Sequence, residues 1–258
     1  MSTALVTGAT AGIGLSFAHQ LAERGHDIVL VARDRVRLEN VSDELRAKYD
    51  VSTEILVADL ADRAETGKVA ERLADQLRPV DLLVNNAGYA LKKRFLDNDI
   101  TEEEAVFDVL GRAVLVLSHA AARAMRERGH GAIVNVSSVA GQITSGTYSA
   151  VKSVVTVFTE GLASELAGTG VTVTALCPGF TRTEFHQRAR VQVSALPGGL
   201  WLDPDVVVQQ ALADAAAGKV ISVPGVQWKV VTVAVRALPR PLVRGGALRA
   251  LDRFRRRD

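Results

Sequence analysis

The sequence predicts an α/β protein built on a doubly wound parallel β-sheet of about seven strands with helices on both faces, and three observations predict it. Short apolar runs alternate with stretches of helical periodicity along most of the chain. The runs are apolar at consecutive positions, as expected for strands that are covered on both sides. The first run ends at a glycine-rich turn that leads straight into a helical pattern. Such alternation favours parallel strands joined by crossover helices.

The elements follow in order along the chain. The predicted strands are Thr3–Thr7, Asp27–Ala32, Thr53–Ala58, Asp81–Asn85, Ala132–Val136, Val171–Leu176 and Lys219–Val223. The predicted helices cover about 13–23, 36–49, 62–77, 102–128 and 148–166. Gly25 and Pro79 end two of these helices, and Thr101 with Glu104 forms a capping-box pattern at the start of the long one. This order of elements is typical of the Rossmann fold.

The composition is that of an ordinary globular chain. Its 258 residues are 48% hydrophobic and 23% charged, which suffices for one α/β domain with a full core. The single cysteine, Cys177, excludes an internal disulfide and a cysteine metal cluster, so we expect no metal site. We expect a cytoplasmic protein, because no signal-peptide pattern is present and no apolar run approaches the ~18 residues of a membrane span.

Three glycines, Gly8, Gly12 and Gly14, lie between the first strand and the first helix. At such a junction the backbone turns sharply, and the N-terminus of the helix faces an approaching pyrophosphate. The pattern therefore favours nucleotide binding over a merely flexible turn. The second strand ends at Ala32 and Arg33 without the acidic residue that would bind the ribose of NAD. A guanidinium there can pair with a 2′-phosphate, which favours NADP(H) over NAD(H); a solvated helix start is the alternative.

Polar residues also follow the third and fourth strands. Asp59 ends the third strand, where it could bind an adenine amine or simply cap the next helix. Asn85, Asn86, Ala87 and Gly88 end the fourth strand. The asparagines could hold the sheet edge and line a ribose, or form an ordinary turn.

Tyr148 and Lys152 are four residues apart and share one helix face. A neighbouring ammonium favours a phenolate, so we expect Lys152 to lower the pKa of Tyr148 and make it a usable acid or base. Spacing alone does not separate this pair from one ordinary helix face. Together with a nucleotide turn, the pair predicts hydride transfer.

The chain resembles the short-chain dehydrogenase/reductase family, in its compact NADP-preferring form, over roughly residues 1 to 185. The resemblance rests on five ordered features: the glycine turn with Thr7, Asp59, the segment 85–88, Ser137 and Ser138 ahead of Tyr148 and Lys152, and Pro178-Gly179 with Thr183. It implies that Tyr148 is the acid/base, that Ser138 orients the substrate carbonyl, and that Lys152 binds the nicotinamide ribose. The cofactor-binding residues it implies are Gly8, Thr10, Gly12, Ile13, Gly14, Arg33, Asp59, Leu60, Asn85, Ala87, Gly88, Tyr148, Lys152, Pro178, Gly179, Thr181 and Thr183.

Two positions depart from the family pattern. Leu110 stands where the family usually has an asparagine that helps hold a proton-relaying water. Leucine cannot hydrogen-bond, so we expect that relay to be weakened or replaced. The segment from Ser138 to Tyr148 is two or three residues shorter than usual. Ser138 is therefore either displaced from Tyr148 or carried on a tighter loop, which Gly141 and Gly146 would permit.

The substrate side follows Thr183. Tyr89, Phe185 and Trp201 are expected to contact substrate, although the aromatic residues after Thr183 could equally pack a short helix on the core. We expect a single Rossmann domain over 1–228, with a cofactor half to about 130 and a catalytic and substrate half from 131. Residues 229–258 form a basic amphipathic extension.

The C-terminal segment concentrates positive charge. Residues 236–258 hold eight Arg and two Asp, a net +6, whereas the whole chain has +2, so the first 235 residues carry −4. Three interpretations stay open: packing on the chain's own domain, docking on a partner subunit, and weak contact with an anionic membrane surface. Nucleic acid is not an expected partner, because the basicity is confined to the tail.

These patterns predict an NADP-dependent oxidoreductase that interconverts a carbonyl and a secondary alcohol, a small-molecule substrate, with Tyr148 as acid/base. One alternative is an NADP-binding protein of low activity that acts as a regulatory or scaffold subunit. Another is a lyase or epimerase on the same fold. The family resemblance further implies a homodimer or homotetramer, in which the long helix and the Tyr148 helix pair across a two-fold axis.

Overall fold

The computed structural model describes residues 2–91, 93–184, 198–239 and 241–243. Within this part of the chain, all strands join one parallel sheet in the order β3-β2-β1-β4-β5-β6-β7. The strands are β1 Thr3–Thr7, β2 Asp27–Ala32, β3 Thr53–Val57, β4 Leu82–Asn85, β5 Gly131–Val136, β6 Val171–Leu176 and β7 Ile221–Ser222. The doubly wound parallel sheet is confirmed. Only β7 is much shorter than the predicted run.

Helices cover both faces of the sheet. They are α1 Gly12–Glu23, α2 Arg35–Tyr49, α3 Arg63–Ala74, α4 Ile100–Phe107, α5 Ala113–Arg128, α6 Gly146–Glu165, α7 Pro204–Ala216 and α8 Val226–Ala237. One core layer includes Phe17, Leu38 and Leu45, and the layer on the other face includes Leu117 and Met125. The division of the chain at residue 228 stays a prediction; α8 spans that position.

A π-helical turn, Asp108–Arg112, joins α4 to α5 and makes one continuous helix, Ile100–Arg128. The capping box predicted for Thr101 was wrong, because the helix begins two residues earlier, at Ile100, and Asp99 is its cap. The Asp99 carboxylate accepts the Thr101 N–H at 2.9 Å. In the π turn, Asp108 pairs with Arg112 at 2.6 Å.

This continuous helix is also long and apolar enough to cross a membrane, although the sequence holds no unbroken apolar run of that length. Its most apolar window is 56% buried inside the protein. Leu117 and Met125 lie in the hydrophobic layer beneath the sheet. It is therefore a core helix of the domain.

A chain of polar side chains crosses the buried middle of the sheet. The Asn85 amide donates to Asn135 Oδ1 at 2.9 Å and to Ser118 Oγ at 3.1 Å. The Asn135 amide donates to Thr159 Oγ1 at 3.0 Å. These four residues tie β4 and β5 to the helices on one face. Buried polar groups stabilise a fold only when they are paired, as they are here.

We predict that Asn135→Ala lowers the free energy of unfolding by about 2 kcal/mol, because it removes two buried hydrogen bonds, the one from the Asn85 amide and the one to Thr159. Urea denaturation followed by circular dichroism measures the change. Asn40→Ala, the same substitution at an exposed position of α2, should change stability by less than about 0.5 kcal/mol. Equal effects of the two substitutions would contradict the assignment.

Candidate active site

The predicted site residues gather at one edge of the sheet because all strands run in parallel. The glycine turn follows β1, Asp59 follows β3, and Asn86 follows β4. Ser138 follows β5 and Pro178 follows β6. The carboxyl ends of parallel strands meet at a common edge, and the strand order reverses direction between β1 and β4. The arrangement makes this edge the candidate site.

The glycine turn is built by close contacts that exclude a side chain. A Cβ on Gly14 would lie 2.2 Å from the Gly8 carbonyl oxygen and 2.4 Å from Asn86 Nδ2. Gly8 and Gly12 have φ of 65° and 54°, the left-handed region that favours glycine. The turn therefore brings the N-terminus of α1 against the sheet edge with its backbone exposed to an anion.

Asn86 holds this turn, which agrees with the possibility that the asparagines after β4 hold the sheet edge. Its side-chain amide donates to the carbonyl oxygens of Thr7 at 2.9 Å and Gly8 at 3.3 Å. The Thr7 hydroxyl oxygen accepts the backbone N–H groups of Asn86 at 2.9 Å and Ala87 at 3.0 Å. The ends of β1 and β4 are thus tied by four hydrogen bonds.

Asn85, in contrast, points into the protein. Its side chain is 4% exposed, and its amide donates to Ser118 and Asn135. The predicted contact between this side chain and a cofactor ribose is therefore not supported, because both partners lie in the buried polar chain. Alternation of side chains along a strand explains why neighbouring asparagines serve opposite purposes.

The segment after β6 forms the facing side of the groove. Thr183 approaches the glycine turn so closely that a Cβ on Gly12 would lie 3.0 Å from Thr183 Cβ and Cγ2. Glu184 pairs with Arg37 of α2 at 3.5 Å. Thr181 is buried, and its hydroxyl donates to the Gly179 carbonyl at 3.1 Å, so it supports the segment from inside.

Arg33 and Asp59 lie together at the outer end of the groove. Arg33 Nη1 lies 3.8 Å from Asp59 Oδ2, and 71% of the arginine side chain is exposed. Asp59 also caps the following turn, because its Oδ1 accepts the Ala61 N–H at 3.0 Å. The guanidinium is thus accessible to an anionic ligand.

Ser138 and Tyr148 are brought together as predicted. Their side chains form a hydrogen bond. The loop between them is tight: a 3₁₀ turn, Val139–Gln142, starts at Ser138, and a Cβ on Gly141 would lie 2.9 Å from the backbone nitrogen of Ser153. The shorter loop therefore does not displace Ser138, since Gly141 lets it lie directly on α6.

The electrostatics of Tyr148 differ from the prediction. Burial raises the pKa of Tyr148 to about 12, and the Ser138 hydrogen bond opposes the rise only in part. Lys152 Nζ lies 5.8 Å from the centre of the Tyr148 ring and donates to the Val136 carbonyl oxygen at 2.6 Å. The expected lowering of the tyrosine pKa by Lys152 was wrong for the protein without a cofactor, because desolvation dominates.

Lys152 is buried and held in place by its neighbours. Burial lowers the pKa of Lys152 to about 8, with the nearby Cys177 thiol opposing this shift. Ser137 belongs to the Ser137–Ser138 motif, but the sequence predicted no role for it. Its hydroxyl donates to the Lys152 backbone carbonyl at 2.7 Å and lies 2.7 Å from Thr156 Oγ1. Ser137 therefore positions the turn of α6 that carries Lys152.

Leu110 makes the neighbourhood of Tyr148 apolar. It is 1% exposed and forms a cluster with Val106 and Val151, against which Tyr148 and Tyr89 pack. A Cβ on Gly88 would lie 2.7 Å from Leu110 Cδ2, so the leucine occupies the space beside the end of β4. The place where the family has an asparagine thus holds hydrocarbon, which contributes to the desolvation of Tyr148.

On the substrate side, α8 supplies an aromatic wall that the sequence analysis did not identify. Trp228 is buried against Gly179, where a Cβ would overlap its indole ring. Its Nε1 donates to the Leu200 carbonyl at 3.0 Å, and its ring lies 5.5 Å from that of Phe180. Trp201, a predicted substrate residue, packs on the other side of Phe180 at 5.8 Å.

Of the other two residues predicted to contact substrate, the structure describes only one. Tyr89 is half-buried beside Leu110, and burial raises its pKa. Phe185 lies outside the described residues. The contacts proposed for these side chains stay predictions.

The residues present fit a dinucleotide cofactor. The glycines leave a cradle that any Cβ would fill, α1 offers its N-terminus to a pyrophosphate, and Arg33 offers a cation at the outer end. Tyr148 and Lys152 lie at the inner end. The remaining predicted cofactor residues, Thr10, Ile13, Leu60, Ala87, Gly88 and Pro178, follow the same strands at this edge.

Comparison with known proteins agrees with this geometry. A family model described as short chain dehydrogenase matches residues 2–194. A sulfoacetaldehyde reductase of Chromohalobacter salexigens is 38% identical over 186 residues, covering 70% of this chain and 73% of the relative. An uncharacterized oxidoreductase of Staphylococcus saprophyticus is 36% identical over 183 residues, covering 70% and 78%.

A solved structure agrees over a longer stretch. The short-chain dehydrogenase from Sphingobium yanoikuyae, in complex with NADPH, superposes with a TM-score of 0.83 at 35% identity. The match covers 92% of this chain and 94% of that one. The resemblance drawn from the motifs is confirmed.

We predict that the free energy of unfolding rises as the pH increases from about 8 to about 10. Burial lowers the pKa of Lys152 from its usual 10.5 to about 8, so in this window the unfolded chain binds more protons than the folded one. Lys152→Met removes the titrating group and should flatten the rise. Urea denaturation across this pH range measures it. Lys68→Met, at an exposed site on α3, should keep the wild-type slope, and a flat slope there as well would contradict the assignment to Lys152.

Proposed function

The chain belongs to the short chain dehydrogenase family of oxidoreductases, and on that basis we propose that it interconverts a carbonyl and a secondary alcohol with NADP(H). The observation that carries the proposal is the Ser138–Tyr148 hydrogen bond at the inner end of a groove that begins at the glycine turn. Two hydroxyl groups that converge there can both face the oxygen of one carbonyl.

Tyr148 carries its proton at neutral pH, as any phenol with a pKa of 10 or above does, and can give that proton to a carbonyl oxygen as negative charge develops there. Ser138 stabilises the same oxygen by hydrogen bonding and orients the substrate. NADPH, when bound, supplies the hydride. The ammonium of Lys152 favours the phenolate that is left on Tyr148.

The NADP(H) preference rests on Arg33. Its guanidinium is exposed beyond the end of β2, and the preceding residue, Ala32, presents no carboxylate to repel a phosphate. An arginine can bind a phosphate through two parallel hydrogen bonds. Asp59, which pairs with Arg33 at 3.8 Å, orients the guanidinium.

Leu110 favours a second candidate function, a cofactor-binding protein with low turnover that acts as a regulatory or scaffold subunit. The hydrocarbon cluster around Leu110 leaves Tyr148 and Lys152 without the asparagine of the family. Proton return to Tyr148 would then be slow, although NADPH would still bind.

We further propose a homodimer or homotetramer in the cytoplasm. Apolar side chains are exposed on the continuous helix and on α6, the two elements expected to pair, and they include Phe107, Leu115, Val154 and Val157. Such patches mark interaction surfaces. The cytoplasmic location stays an expectation from the sequence.

The test of function is NADPH oxidation against a panel of bulky ketones and small aldehydes, sulfoacetaldehyde included. We expect turnover in the wild type and a loss of roughly 10²-fold or more in Tyr148→Phe, which removes the proton donor but keeps the ring. NADPH binding, measured by fluorescence, should persist in this variant, because the glycine turn and Arg33 are intact. Faster turnover in Leu110→Asn than in the wild type would indicate a limiting proton relay. Tight NADPH binding with no turnover in either protein would favour the second candidate, and turnover without net NADPH oxidation would favour a lyase or epimerase.

The cofactor preference is tested at Arg33. Arg33→Ala should raise the KM for NADPH by roughly tenfold or more, because it removes one charge-assisted hydrogen bond to the 2′-phosphate. The KM for NADH should stay nearly unchanged, because NADH has no phosphate there. Steady-state kinetics with each cofactor measures the ratio. Arg46→Ala is the matched control, because Arg46 is exposed in the last turns of α2 and pairs there with Asp43. An unchanged ratio in Arg33→Ala would refute the NADP(H) assignment.

A further inference from the structure

Helix α8 (Val226–Ala237) has two faces of different character. One face carries Trp228 and Thr232, each 6% exposed, and packs on the segments 178–181 and 198–202. Its attachment is reinforced by the Gln227 amide, which donates to the Gly199 carbonyl at 3.3 Å. The helix is therefore a fixed part of the domain.

The opposite face is an exposed apolar stripe. Val226, Val230 and Val233 are 73%, 63% and 67% exposed, and their spacing of four and three residues places them on one line. Ala237 continues that line for one more turn and is also exposed. We call Val226, Val230, Val233 and Ala237 the α8 stripe. An apolar stripe that faces away from the core is a mark of an interaction surface.

Positive charge adjoins the α8 stripe. Lys229 is exposed one turn before Val233, and residues 236–258 carry a net +6. Exposed Leu238 and Leu242 extend the apolar surface past the end of the helix. A helix with an apolar line, flanked and followed by Lys and Arg, has the composition of an interfacial helix on anionic lipid.

Size and charge argue against a second copy of the chain as the partner that covers the α8 stripe. A stable protein interface buries about 800 Å² on each partner, and a stripe three valines long offers only a fraction of this area. Each copy also carries the +6 of residues 236–258, and like charges repel. A negatively charged lipid surface needs no complementary shape and is attracted by that same charge.

We propose that α8 docks on an anionic lipid surface, with the α8 stripe against the acyl-chain boundary and Lys229 toward the headgroups. Because Trp228 lies on the other side of the same helix, docking places the segments 178–181 and 198–202 about one helix diameter, ~10 Å, from the lipid. The substrate side of the groove then faces the membrane. The docking itself does not depend on the reaction proposed above.

The experiment is co-sedimentation of the full chain with vesicles of phosphatidylcholine alone and of phosphatidylcholine with phosphatidylglycerol. We expect binding to the anionic vesicles that weakens as salt is raised, and little binding to the neutral ones. Val230→Ser combined with Val233→Ser removes apolar surface without changing charge and should weaken binding by roughly tenfold or more. Gln in place of Arg255, Arg256 and Arg257 should weaken it about fivefold per residue.

The matched control is Val36→Ser combined with Val206→Ser, which removes two exposed valines of similar accessibility, 65% and 54%, from α2 and α7. This control should bind the vesicles like the wild type. Unchanged NADPH binding and circular dichroism would show that the α8 variant is folded. The proposal is overturned by equal binding of the two double variants, by equal binding to neutral and anionic vesicles, or by no binding at all. A dimer that dissociates in the α8 variant would assign the stripe to a second copy and overturn it as well.

Discussion

The contact between the glycine turn and the end of β4 is the constraint on which the rest of the structure depends. Gly14 passes so close to Gly8 and Asn86 that no side chain fits between them, and Asn86 and Thr7 fasten the two strand ends together. This junction fixes the start of α1 at the sheet edge. The groove, the arginine at its outer end and the tyrosine at its inner end are all placed relative to it.

Burial then decides the chemistry of the inner end. The apolar cluster around Leu110 packs against Tyr148, while the carbonyl oxygen of Val136 holds Lys152 in place. Desolvation disfavours the charged form of both groups: it raises the pKa of Tyr148 and lowers the pKa of Lys152. Such perturbed groups in a cleft are typical of an active site rather than of a structural pair. A bound cofactor would alter both environments, because it excludes water and brings charge.

Helix α8 connects this site to the surface. Through Trp228 it supports Gly179 and Leu200, and through the α8 stripe it faces outward. The helix spans residue 228, the predicted end of the domain, and its Trp228 fills the space that only a glycine at position 179 leaves open.

The sequence by itself determined the parallel sheet, the order of strands and helices along the chain and the edge at which the site lies, because apolar runs, glycines and chain direction are local patterns. It also determined that Ser138, Tyr148 and Lys152 would be neighbours. Tertiary structure decided that Asn85 faces the core while Asn86 holds the turn, that the short loop after Ser138 is tight, and that Trp228 forms a wall. It also decided the sign of the Tyr148 pKa shift. These properties depend on which distant side chains pack around each group, and no local pattern records how much water that packing excludes.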